Sequence, residues 1–405
     1  MPTAPNQPAI GLALAGGGPL GAVYEIGALC ALEESLQGVD FNQLSGYVGV
    51  SAGSFVAAGL ANGITPRQLC AAFIETRSQE GVEAIPPDTF IRLAWGEYAR
   101  RGAALPRLVL QALSAVLWQG RPLLAAAESL GSALPAGVFS HAPIERTLQR
   151  LLSAEGRSND FRRLQRRLVV VATDLDAGTA APFGLPGWDH VPISQAVAAS
   201  AALPGLFPPV HINGRSYVDG ALKKTLHARV LLDLGLDLVI CLNPLVPFDA
   251  THPDRHRLLA EGRQRLPRME DGGLPLVMSQ TFRTLIHSRL ELGIHGYRHS
   301  HPGTDVLLFE PDQRDPQMFL ANTFGYAERR LLAEHAYQHT RADLRSRRSL
   351  LAKQLARHGI TLNHEALDDR QRRLLRGRRP VRGQTAQALQ RLDEVLSDLE
   401  AAIAA

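Results

Sequence analysis

Cysteine is scarce in this chain. Cys30, Cys70 and Cys241 are the only three in 405 residues, and each stands alone in an apolar context. That usage excludes a disulfide framework and a cysteine-based zinc site, and it reads as three small core residues. Long apolar runs are lacking as well: none reaches the roughly 18 residues that a spanning helix requires. The first ten residues, MPTAPNQPAI, have neither a basic cluster nor an apolar core of the kind that directs secretion. A reducing, cytoplasmic location is therefore the expectation. Charge of one sign is also missing, with 43 Lys and Arg against 39 Asp and Glu, a net of +4. That balance does not imply a nucleic-acid partner. No internal repeat or low-complexity tract interrupts the chain, and no spacing of ligating residues calls for a metal or a cofactor.

Apolar residues, by contrast, make up 45% of the chain, enough for one large α/β domain with appended helices or for two domains. Residues 10–15 (IGLALA) read as a short buried strand. GGGPLG follows at 16–21, then a helix over about 22–36 with Val23, Ile26, Leu29, Cys30 and Leu32 turned inward. Residues 65–79 read as a helix capped by Thr65, with Pro66 at its first position. RLVVVATDL at 167–175, LDLVICLNP at 236–244 and DVLLFEP at 305–311 are further buried strands. GRSYVDGA at 214–221 is a strand or hairpin arm ending in a turn, and 276–296 is a helix. Strands alternating with helices call for a mostly parallel sheet covered on both faces.

The rest is organised around residues 47–60, YVGVSAGSFVAAGL. Tyr47, Val48 and Val50 read as the end of a strand, and Phe55, Val56 and Leu60 as one face of a helix that begins at Ala52. Between them stands Ser51, with Gly49 two residues before it and Gly53 two after. A serine on a tight strand-to-helix turn, with glycines where side chains would collide, is a nucleophile elbow. The helix N-terminus behind it offers free N–H groups and partial positive charge to a developing oxyanion.

A second anion-binding corner is suggested by Gly16, Gly17 and Gly18, which leave backbone N–H groups uncovered at the start of the next helix. The same segment fits G-x-G-x-x-G through Gly16, Gly18 and Gly21, so an NAD(P)-binding protein is a rival reading. A ribose carboxylate would then be needed at the tip of the second strand. That tip reads GVSAG, and Glu33, Glu34 and Asp40 fall earlier, on the helix or in the loop.

Acyl transfer from a serine also needs a base. His287, His295, His299 and His301 come late enough for a Ser–acid–His order, but they flank a helix and a loop rather than following a clear strand. Asp219, in YVDGA, is the better candidate: a carboxylate at a strand end, with Gly220 to free the turn. Asp271, in EDGG, sits in a charged loop with no strand leading in and reads as a solvated turn.

Taken together, AGGGPLG, GVSAG, ASAALPGLFPPV and YVDGA, in this order and spacing, resemble the patatin-like phospholipases over residues 10–310. The resemblance implies a three-layer α/β/α fold and a Ser–Asp dyad that works without histidine or cofactor. It implies Ser51 as nucleophile, Asp219 as base, and Gly17 and Gly18 as oxyanion-hole donors with a further N–H from Ala52. Gly16, Gly21, Gly49, Gly53, Gly220 and Ala221 complete the matching motifs. Two positions depart from the family pattern. Leu20 stands where Lys or Arg is usual before the last glycine, and Ala221 where Gly is frequent. The activity implied is hydrolysis of lipid carboxylic esters, with phospholipids or lysophospholipids as substrates. The non-enzyme rival is a lipid-binding scaffold of the same fold.

This reading makes residues 1–325 the hydrolase domain and 326–405 a helical extension. Within the domain, 85–136 is a helical insertion rich in Leu and Ala, with Trp95 and Trp118, and a candidate lid or lipid-facing surface. Near the end, the thirteen residues from Arg370 to Arg382 hold seven arginines. They read as a solvated face or as a contact to anionic headgroups, peripheral at the membrane. Leu389, Leu392, Leu396, Leu399 and Ile403 form a final helical stripe that reads as docked on its own domain.

Overall fold

Strand β1 (Ile10–Leu14, IGLAL) is buried at every position and occupies the middle of the sheet. The computed structural model describes residues 8–79, 81–85, 136–249, 251, 269–315, 317 and 328–375. Of the expected 85–136 insertion, all but positions 85 and 136 lie outside the described residues, as do the arginines from Arg376 to Arg382 and the terminal leucine stripe.

Parallel pairing joins β1 to β3 (Gly46–Val50) on one side and to β8 (Leu238–Leu242) on the other. A two-residue strand, β2 (Leu36–Gln37), lies between β1 and β3 in the chain and outside this sheet. Beyond β3 comes β4 (Arg167–Asp174), and beyond β8 comes β9 (Asp305–Phe309), again parallel. Three antiparallel strands finish the β4 end: β5 (Thr179–Phe183) and β7 (Arg215–Asp219) pair with β4, and β6 (Val210–Ile212) with β7. The order is β6-β7-β4-β3-β1-β8-β9, with β5 paired to β4 off this path.

Alternation along the strands divides the core into two layers. Leu12, Leu14, Tyr47, Val170 and Ile240 belong to one apolar cluster; Ala13, Val48, Val169, Val171 and Cys241 belong to the other. Helices cover both faces, which is why the central strands read as continuous apolar runs. This is the mostly parallel three-layer α/β/α architecture. The first face carries α1 (Gly18–Ser35), α2 (Ala52–Ala61), α3 (Pro66–Leu69), α4 (Ala142–Leu152) and α5 (Ile193–Ser200). The second carries α6 (Arg229–Leu232) and the long α7 (Gly273–Ser300). Helix α3 has the expected cap: Thr65 and Gln68 form a reciprocal capping box with Pro66 in the first turn. Helix α1 starts four residues earlier than its apolar spacing suggests, because Pro19 is tolerated in a first turn, where its missing N–H costs nothing.

The described residues 328–375 pack into the first cluster. Helix α8 (Arg329–Ser346) lies along α1, contributing Leu332, Ala333, Ala336 and Tyr337. Helix α9 (Arg348–Ala356), strand β10 (Thr361–Leu362) and helix α10 (His364–Asp368) follow, with β10 antiparallel to β2. Arg341 is fully buried on α8, and its guanidinium donates to the carbonyls of Ala366 and Asp369, which end α10. A buried cation is tolerated there because those carbonyls satisfy its donors. No described helix is long and apolar enough to cross a membrane, and the three cysteines are buried and free.

The α1–α8 crossing is close because Gly27 has no side chain. A Cβ at that position would lie 2.5 Å from the Ala333 carbonyl oxygen and 3.1 Å from the Ala336 Cβ. Gly27→Val should therefore force the two helices apart and cost about 1–3 kcal/mol. A lowered urea midpoint at unchanged slope would show it.

Candidate active site

The site is set by the way two strands meet on one edge of β4. Strand β3 pairs with the first half of β4, up to Val50 opposite Val171. Strand β7 pairs with the last part of β4 from the opposite direction, and its end, Asp219, lies opposite Ala172. Strand β5 takes the other edge over the same residues, so β3 and β7 lie along one edge and meet tip to tip. The residue leaving β3 is Ser51 and the last residue of β7 is Asp219. Register alone brings them together.

Contact follows. The Ser51 hydroxyl donates to Asp219 Oδ2 at 2.6 Å. Ser51 has φ 52 and ψ −124, a left-handed conformation that a non-glycine residue adopts only under local constraint. The constraint is visible around it. Ser51 N–H donates to Ser200 Oγ at 2.8 Å, and Ser200 Oγ–H donates to the Val171 carbonyl at 2.6 Å. A Cβ on Gly49 would lie 2.5 Å from the Ser54 Cα, and one on Gly53 2.5 Å from the Ala15 carbonyl oxygen. The glycines flanking the serine are thus required by backbone crossing backbone.

Asp219 is held as firmly. Its N–H donates to the Ala202 carbonyl, and its own carbonyl accepts from Thr173 Oγ1, both at 3.0 Å. The Oδ1 atom accepts the Ala221 N–H at 2.8 Å. A Cβ on Gly220 would come within 2.1 Å of the Val171 carbonyl oxygen. Asp219 is 2% exposed and Ser51 5%. Burial pushes the Asp219 carboxyl up to about 6, against the smaller opposing pull of the bonds from Ser51 and Ala221.

Above this pair runs the glycine loop. A Cβ on Gly16 would lie 3.0 Å from the Ser51 Cβ and 3.2 Å from the Ala221 Cβ. Ala221, one of the two departures from the family pattern, fits because Gly16 opposite it has no side chain. Gly18 has φ +62. The N–H groups of Gly17, Gly18 and Ala52 donate no hydrogen bond among the described residues; Gly18 and Ala52 open α1 and α2, whose first N–H groups have no intrahelical partner. Leu20, the other departure, is buried in the core.

The sequence did not point to the residues that buttress this loop. The Pro244 ring lies 2.8 Å from where a Cβ on Gly17 would sit and 3.2 Å from the same point on Gly21. Asn243 fixes the turn that holds Pro244: its Nδ2 donates to the Leu245 carbonyl and to Glu310 Oε2, each at 3.1 Å. Ser200 falls within the quoted ASAALPG string, but a buried small residue on a small-residue helix carries no signal of its role. The late histidines lie elsewhere. His287 faces Glu291 and Glu310, His301 pairs with Asp233, and His295 and His299 bond to carbonyls of their own helix. Asp271 is in the exposed turn before α7. Among the described residues no histidine bonds to Ser51 or Asp219, and no cluster of three or more His, Cys, Asp or Glu side chains could hold a metal ion. His227, near the Gly220 carbonyl, is pushed down to about 4 by burial and is neutral at pH 7.

Two stability effects follow. Ser200→Ala leaves the buried Ser51 N–H and the Val171 carbonyl without their partner and should cost about 1–3 kcal/mol. The folded-state value of Asp219 lies above that of an unfolded aspartate, so its ionisation opposes folding. That cost is present in full above about pH 6 and relieved as pH falls toward the unfolded value. Asp219→Asn should therefore gain stability relative to wild type at pH 8 and lose that advantage at pH 4, measured by denaturant titration at the two pH values.

A family model described as Patatin-like phospholipase matches residues 12–232, more than half of the chain. Among solved structures, VipD from Legionella pneumophila is similar at 15% identity and a TM-score of 0.33, over 88% of this chain and 75% of that one. The type III effector protein ExoU is similar at 18% identity and a TM-score of 0.31, over 85% of this chain and 54% of that one. Full-length ExoU in complex with SpcU, from the type III secretion system of Pseudomonas aeruginosa, gives 15% identity and a TM-score of 0.27, over 73% of this chain and 53% of that one. The chain thus spans about half the length of ExoU. By the family match over residues 12–232, this chain belongs to the patatin-like phospholipases.

Proposed function

We propose that this chain is a serine acyl hydrolase that cleaves carboxylic esters of phospholipids or lysophospholipids through an acyl-enzyme. The observation that carries the reading is the hydrogen bond from the Ser51 hydroxyl to a buried Asp219 carboxylate, under a loop of free glycine N–H groups. Ser51 Oγ attacks the ester carbonyl carbon while its proton passes to Asp219 Oδ2. The N–H groups of Gly17 and Gly18, with that of Ala52, hold the oxyanion. Collapse of the tetrahedral intermediate breaks the bond to the alcohol or lysolipid, which takes the proton from Asp219. Water then attacks the acyl-enzyme and gives a proton to Asp219. The released Ser51 recovers it as the fatty acid departs.

An aspartate is a weak base in water. Burial of Asp219 raises its affinity for a proton toward the working range, which supports its role here. In this reading 1–325 form the hydrolase domain and 326–405 the helical extension. The enzyme acts from the membrane surface, with 85–136 and the 370–382 arginines as candidate contacts.

The test is hydrolysis of phospholipids, lysolipids, acylglycerols and short p-nitrophenyl esters, with fluorophosphonate labelling alongside. Ser51→Ala and Asp219→Asn should each lower kcat by ~10⁴-fold or more, and Ser51→Ala should abolish labelling. A scaffold without catalysis would label in neither form. Because the base must be ionised, kcat/KM should rise with pH through about 6 and level off above it. A rate that is flat from pH 5 to 8 would remove Asp219 from this role.

A further inference from the structure

Helix α7 is much longer than the strands it connects. Its 28 residues span about 42 Å, whereas β8 and β9, of five residues each, span about 17 Å. The contacts show which end overhangs. Leu290, Ile294 and Tyr297 pack into the second core cluster beside Val239 and Cys241. His287 lies level with the strand tips, facing Glu310, which follows β9 and bonds to Asn243, which follows β8. Residues 273–286 therefore project about 21 Å beyond the carboxyl ends of the strands. Ser51, Asp219 and the glycine loop sit at that same end.

The projecting half does not look like a helix face made for water. Leu274, Val277, Met278, Phe282 and Leu285 are all exposed there, Leu274 at 74%, and Leu292, further along the helix, is exposed at 73%. At 100° per residue they fall on one stripe, opposite the packed Leu290 and Ile294. Isolated exposed leucines are ordinary, but a stripe of six large apolar residues along five turns is an interaction surface.

Charge identifies what it meets. Of the three arginines on the helix, Arg289 and Arg298 are exposed while Arg283 turns inward to the Val246 carbonyl, and the one carboxylate is Glu291, beside His287. Glu270 and Asp271, in the turn before it, are each already engaged. The helix is also tied to the candidate site: Arg289 Nη1 donates to the Leu222 carbonyl in the turn after Asp219, at 3.1 Å. An apolar stripe on a cationic helix, next to a site read as cleaving lipid esters, suits the interface of an anionic bilayer, where such faces insert about 5–10 Å.

We propose that the overhanging half of α7 seats this protein on the surface of an anionic phospholipid bilayer and sets the Ser51 site at the depth of the ester bonds. The proposal rests on the lipid-hydrolase reading above, and its test separates the two. The full chain carrying Ser51→Ala, which cannot consume the membrane, is sedimented with vesicles of equal parts phosphatidylcholine and phosphatidylglycerol. Adding Phe282→Ser and Leu285→Ser should weaken binding roughly tenfold or more. The same pair in the catalytically intact chain should leave hydrolysis of a short soluble p-nitrophenyl ester at the wild-type rate. Absence of vesicle binding, or binding indifferent to the pair, overturns the proposal. So does a wild-type dimer that the pair converts to a monomer, which would assign the stripe to a second copy. A large loss of thermal stability in the pair also overturns it, by showing that the chain itself covers the stripe. If vesicle binding responds as expected while the intact chain hydrolyses no ester and takes no fluorophosphonate label, the catalytic reading falls and the docking surface stands.

Discussion

The structure depends on a shared edge. Strands β3 and β7 meet end on along β4, one arriving parallel and the other antiparallel, so both chain tips emerge at Val171 and Ala172. Hydroxyl and carboxylate then face each other without any third group to span a gap. Backbone and side-chain groups at this junction brace one another. Val171 receives the Ser200 hydroxyl and leaves no room for a side chain on Gly220, and Ser200 in turn takes up the Ser51 N–H. The left-handed Ser51 is a strain that these surrounding bonds over-determine.

Close approach is the second constraint. Gly16, Gly17, Gly49, Gly53 and Gly220 each lie where a methyl group would strike a neighbouring atom, in most cases backbone. Such approach keeps the pair dry, and dryness raises the proton affinity of Asp219. Packing density and chemistry are here the same fact. The Pro244 ring extends the idea outward, wedging the glycine loop from the β8 side through a turn that Asn243 ties to Glu310.

Away from the site, the helices share the load unequally. Helix α1 is apolar nearly all round because α2, α3 and α8 surround it. Its junction with the later helices is sealed by a missing side chain at Gly27 and by a buried guanidinium, Arg341, that satisfies the carbonyls ending α10. Helix α7 does the opposite: its last half packs on the second cluster, while its first half is held along one side, through Gln280 to Phe248 and Arg283 to Val246, and leaves Leu274, Phe282 and Leu285 exposed.

Much of this was written in the amino-acid order. Apolar runs bounded by glycine and proline marked the strands, the 47–60 pattern marked a serine at a strand-to-helix turn, and YVDGA marked a carboxylate at a strand end, because these are local signals of period and turn chemistry. The exposed apolar residues of α7 are equally local yet carry no signal of their own, since exposed and buried apolar faces look alike in sequence until something packs on one of them. Only the tertiary structure decided the partners: that β3 and β7 share an edge of β4, that Ser200 and Pro244 brace the turn and the loop, and that the late histidines lie away from the serine. Residues 168 positions apart in the chain meet through strand register and backbone contact. Those are properties of pairing between segments, which no single segment encodes.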